Sequence, residues 1–129
     1  MYRWVDHTSE LELEIEAPDE PGVLAEALTA LGELLGACRG ATELRNVTVG
    51  APDRPALLAA WLEELVFLAE SEGFVPVRAQ SLRFRDGGLE ATVGGCSGRP
   101  PHLVKAVTYH RLAFERGPDG YRGRVVLDV

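Results

Sequence analysis

Between residues 10 and 16 acidic and aliphatic residues alternate without exception, Glu10-Leu11-Glu12-Leu13-Glu14-Ile15-Glu16. Successive side chains of an extended strand point to opposite faces, so this spacing predicts a strand with three aliphatic side chains on one face and four carboxylates on the other. A helix would scatter the same acids around its circumference. The fold must therefore cover one aliphatic sheet face while the acidic face reads as solvated. The residues ahead of the strand read as turn-like.

Two segments have the pattern needed for that cover. From about Pro21 to Ala37, Leu24, Ala27, Leu28, Leu31, Leu34 and Leu35 recur at three and four, forming one helical stripe. A second helix opens behind Pro52-Asp53-Arg54-Pro55; Leu57, Leu58, Trp61, Leu62, Leu65, Val66 and Leu68 repeat at helical spacing to Glu72, and Gly73 stops it. The rest is strand-like: 41–50, 75–85 with Asp86-Gly87-Gly88 as a hairpin signal before Leu89–Val93, then 104–115 and 121–129 around the turn Gly117-Pro118-Asp119-Gly120. Gly94-Gly95-Cys96-Ser97-Gly98 reads as a loop. Two helices with five to seven strands predict an α+β fold, with both helices packed on a mostly antiparallel or mixed sheet. With no internal repeat and no dividing linker, residues 1–129 are expected to form one domain.

Composition supports a packed core: of 129 residues, 46% are hydrophobic and 26% charged. Apolar runs fall well short of the roughly 18 residues a membrane span needs, and the charged start MYRWVDHTSE resembles no secretory leader. Thirteen basic against twenty acidic residues give a net charge of −7, which repels phosphate backbones, so autonomous nucleic-acid binding is not expected. Cys38 and Cys96 lack the C-x-x-C spacing of a zinc or redox site and are expected as reduced thiols in a cytoplasmic protein.

No catalytic signature is present: no phosphate-cradling glycine loop, no H-E-x-x-H, no G-x-S-x-G, and the three histidines have no triad spacing. No catalytic residue is assigned. The end of the chain is more informative. Val125-Val126-Leu127-Asp128-Val129 is an apolar strand with one acid beside a terminal carboxylate. Were a second acid of the N-terminal strand to lie nearby, a hard cation with oxygen ligands would relieve the repulsion.

DHT at 6–8, WLEELVFLAESEGFV at 61–75, HLVKAVTYH at 102–110 and VVLDV at 125–129, in this order, resemble the archease family over essentially the whole chain. The resemblance implies a small cytoplasmic α+β protein that is not an enzyme. It implies an activator of an RtcB-type RNA ligase, which serves tRNA splicing and RNA repair by sealing 3′-phosphate or cyclic-phosphate ends to 5′-hydroxyls. Such a helper speeds the ligase's guanylylation and supports multiple turnover through its own divalent-cation site, commonly calcium, with magnesium and manganese as alternatives. Carried over by position, the implied metal ligands are Glu10, Asp128 and Val129, the last through main-chain or terminal oxygen only. The family's DHTAD reads DHTSE here, so Ser9 replaces Ala and Glu10 replaces Asp with one methylene more reach. Asp6, His7, Lys105, Tyr109 and His110 match positions that surround the site or face the partner. Two other functions suit the residues: a metal-dependent phosphoesterase using Glu10 and Asp128 with His7 or His110, and a small acidic interaction or chaperone-like module.

Overall fold

The computed structural model describes residues 1–36 and 43–129. In chain order the elements are β1 (Tyr2–His7), β2 (Glu10–Ala17), α1 (Glu20–Leu35), β3 (Glu43–Gly50), α2 (Arg54–Glu72), β4 (Phe74–Arg85), β5 (Gly88–Ser97), β6 (Ala106–Gly117) and β7 (Gly120–Asp128). The α+β class and the two helices agree with the sequence reading. Among the described residues, seven strands divide into two sheets rather than one, ordered β1-β2-β7-β6 and β3-β5-β4, with every pairing antiparallel.

Local chemistry sets the helix limits. Asp19 and Asp53 are N-caps whose side chains accept the N–H of Gly22 at 2.8 Å and of Ala56 at 2.9 Å. Each cap satisfies one of the backbone donors left open at a helix start. Both helices end on a left-handed glycine, Gly36 and Gly73. Each helix touches strands of both sheets, α1 chiefly β4 and β2, and α2 chiefly β6, β4 and β3. The alternation of β2 is thereby explained on its aliphatic side, since Leu13 and Ile15 are fully covered and join Val125 and Leu127 of β7 in the core. Burying each such side chain contributes about 1.5–3 kcal/mol. Trp61 of α2 is also buried, and its indole N–H donates to the Leu24 carbonyl of α1 at 2.9 Å.

Three expectations need correction. The first residues form β1 rather than a turn, because Tyr2 and Trp4 pack against the core while Arg3 pairs with Glu14 of the neighbouring strand. The turn falls at Thr8-Ser9, where Ser9 takes a positive φ of 64°. The glycine-rich 94–97 segment is the end of β5, not a loop; a Cβ on Gly95 would lie 2.2 Å from the Val75 carbonyl oxygen, so glycine is what lets β4 and β5 close. Finally, Cys96 is disulfide-bonded rather than a reduced thiol, while Cys38 lies outside the described residues. The absence of a recognisable leader was too weak a basis for a redox assignment.

Tyr2 provides a pH test of the β1–α1 contact. Its hydroxyl donates to Glu33, and burial followed by that carboxylate pushes the phenol from 10.0 up to about 12. The folded chain holds this proton more tightly than the unfolded one, so the resulting stability is complete below pH 10 and is lost as pH rises through about 12. Urea unfolding across that range should show a steeper loss for wild type than for Tyr2→Phe; equal slopes would contradict the assignment.

Candidate functional site

The polar face of the first sheet is ordered by register. Residues directly opposite each other in antiparallel strands share a face. Successive cross-strand rows on this face are His7–Glu10–Asp128–Ala106, Val5–Glu12–Val126–Thr108 and Arg3–Glu14–Arg124–Ala113. Acids dominate the first row, whereas Arg3 and Arg124 occupy the third. The two ends of the polypeptide therefore meet, with Glu10 and Asp128 as direct cross-strand partners. Both are partly exposed. Like charges so placed repel and cost stability.

This donor set fits a hard cation: both side chains offer carboxylate oxygen, the ligand chemistry of calcium, magnesium and manganese. Among the described residues no group of three or more His, Cys, Asp and Glu side chains comes together tightly enough to hold a metal. An ion between Glu10 and Asp128 would thus need a main-chain oxygen or water as well, and the Val129 main chain is the immediate neighbour in sequence.

The surrounding residues separate into groups. His7 and His110 line one surface depression with Thr8, Glu10, Glu12, Arg111 and Val126. Lys105 donates its backbone N–H to the Asp128 carbonyl at 2.8 Å, which ties the start of β6 to the acid pair. Tyr109 is 62% exposed and its hydroxyl lies 3.4 Å from Glu63 Oε1 on α2. The Glu63 charge and then burial raise its phenol above the ordinary value. Asp6 pairs with Leu11, so it lies on the opposite face from Glu10 and is solvent-exposed.

Sequence reasoning missed Glu12 and Arg111. Glu12 belongs to the acidic row read as solvated, yet it is only 3% exposed. Its Oε1 accepts from Arg111 Nη1 at 2.7 Å and lies 3.5 Å from His7 Nε2. Arg111 reaches it because β6 leaves register with β7 between Thr108 and Ala113. At the centre of that irregularity Arg111 adopts a positive φ of 57°, unfavourable for a residue with a Cβ. Its carbonyl also accepts Arg124 Nε at 2.8 Å. The sequence signal was faint: Arg111 interrupts an otherwise ordinary strand pattern.

Comparison with known proteins adds an independent line. Residues 2–129 match the model of the Archease protein family. A Mycobacterium tuberculosis protein named "Probable protein archease" is 35% identical over 136 residues, spanning 99% of this chain and 74% of the relative. Protein archease of Methanosarcina acetivorans is 29% identical over 140 residues, spanning 99% and 95%. Two solved structures superpose with a TM-score of 0.73 at 25% identity: an archease, "possible chaperone", from Thermotoga maritima, covering 100% of this chain and 98% of that one, and protein 1598 of Methanobacterium thermoautotrophicum, covering 99% and 98%.

Proposed function

Because the chain belongs to the archease family, we propose that it activates an RtcB-type RNA ligase in the cytoplasm, promoting guanylylation and multiple turnover in tRNA splicing and RNA repair. The observation that carries the reading is the direct pairing of Glu10 with Asp128, which brings two distant acids together at one end of the two central strands of the first sheet. Glu10, Asp128 and the Val129 main chain would hold a divalent cation, calcium first and magnesium or manganese next. Once bound, that ion supplies positive charge toward phosphate oxygens. The protein's own part is to fix the two carboxylates on paired strands and to keep β6 beside them through the Lys105–Asp128 backbone bond. His7 and His110 border the same depression, where they would meet the partner. A net charge of −7 makes direct grip on RNA unfavourable and would favour contact with a basic surface on a partner.

The test is a guanylylation assay with the ligase, GTP and this protein, with and without calcium. Stimulation that requires both protein and cation is expected. Hydrolysis of a cyclic phosphate by the protein alone would instead support a phosphoesterase. Absence of both cation binding and ligase stimulation would leave the interaction-module reading, in keeping with the "possible chaperone" label of the Thermotoga maritima relative.

A further inference from the structure

The pairing of Glu12 with Arg111 has a consequence for the acid pair. A buried carboxylate is costly unless a partner and hydrogen bonds compensate it. Glu12 sits between Val5 and Val126 in the cross-strand row, so no residue of its own row compensates it. The nearest compensation comes from Arg111 Nη1 at 2.7 Å, with His7 Nε2 farther off at 3.5 Å; the Arg111 side chain is 48% exposed while that of Glu12 is 4% exposed. Arg111 is drawn inward from a strand irregularity and held in an unfavourable backbone conformation, with its carbonyl fixed by Arg124. Arg111 lines the same depression as Glu10 and Glu12. If released from Glu12, its guanidinium would have the Glu10 carboxylate within the same depression and would compete there with a divalent ion.

We propose that Glu12 is a positioning residue that sequesters Arg111, keeping its charge off Glu10 and Asp128 so that the pair stays available to a cation. This rests on the reading of Glu10 and Asp128 as cation ligands. The mechanism is competition, so it differs from simple loss of structure in one respect: removing the competitor should restore what removing the sequestering acid destroys.

Calcium binding to the purified protein, measured by isothermal titration, tests this without the ligase. Glu12→Gln keeps the side-chain shape and is expected to weaken calcium binding about tenfold, the lower end of what loss of an outer-sphere partner costs a metal site. Arg111→Gln leaves Glu12 without its nearest partner and should melt at a lower temperature, yet, having no guanidinium to release, it should bind calcium within about twofold of wild type. The double variant Glu12→Gln/Arg111→Gln should recover to within about twofold of wild type, since with Arg111 gone no freed guanidinium remains to compete. A Glu12→Gln protein that binds calcium as wild type does, or a double variant as weak as Glu12→Gln alone, would overturn the inference while leaving the acid-pair reading intact. Wild-type protein that binds no calcium would overturn both. Circular dichroism melts of each variant identify any that fail to fold, and Glu12→Asp then supplies the comparison: a retained carboxylate should retain more affinity than Gln.

Discussion

Asp128→Ala is expected to weaken calcium binding by at least about 100-fold and to abolish stimulation of ligase guanylylation. Outer-sphere substitutions alone commonly cost about 10–100-fold in metal affinity, and a direct ligand should cost more. The expected effect on the metal-free fold has the opposite sign. Asp128 faces Glu10 across the β2–β7 pairing, so deleting it removes a like-charge contact and should leave metal-free stability equal or slightly higher. Wild type should instead gain stability with calcium, by about 2.7 kcal/mol when the free ion is 100 times its dissociation constant. Melting curves with and without calcium separate the two effects. A variant that still gains stability from calcium, or still stimulates the ligase, would remove Asp128 from the site.

Trp61→Ala should produce the largest loss of stability, about 3–5 kcal/mol, as expected for truncating a large buried aromatic. Trp61 is fully buried in α2, and its indole N–H bonds to the Leu24 carbonyl of α1. The substitution thus opens a cavity between the helices and breaks the bond that links them. Trp61→Phe retains most of the volume and loses mainly that bond, so it should cost about 1–2 kcal/mol. Urea unfolding of both variants measures the difference. Equal losses would mean that the hydrogen bond, not the packing, dominates this contact.

What the sequence revealed divides along physical lines. Local chemistry was readable: α1 and α2, the glycine that stops α2, and the Asp86-Gly87 turn depend on neighbours within a few residues. The aliphatic face of β2 was readable because a period of two survives any tertiary context. The fate of its acidic face was not, because Glu12 is buried and paired with Arg111 from nearly one hundred residues away. Likewise, Gly95 looks like a loop residue until the close approach of β4 requires it. The division into two sheets also escaped, since strand order depends on long-range pairing. As for the site, the residue pattern alone suggested that the acid near the chain end would call for a hard cation were an acid of the N-terminal strand to lie nearby, without saying which acid or whether it does. The assignment of Glu10 to it came from family resemblance, and their meeting across β2 and β7 came from the structure.

The central claim is that Glu10 and Asp128 jointly hold a divalent cation. A crystal structure of the protein grown in calcium, with anomalous data to locate the ion, tests it most directly. The account predicts one calcium site liganded by carboxylate oxygen from both residues and by the Val129 main chain. Calcium bound elsewhere, or Glu10 and Asp128 side chains turned apart with no ion between them, would contradict it.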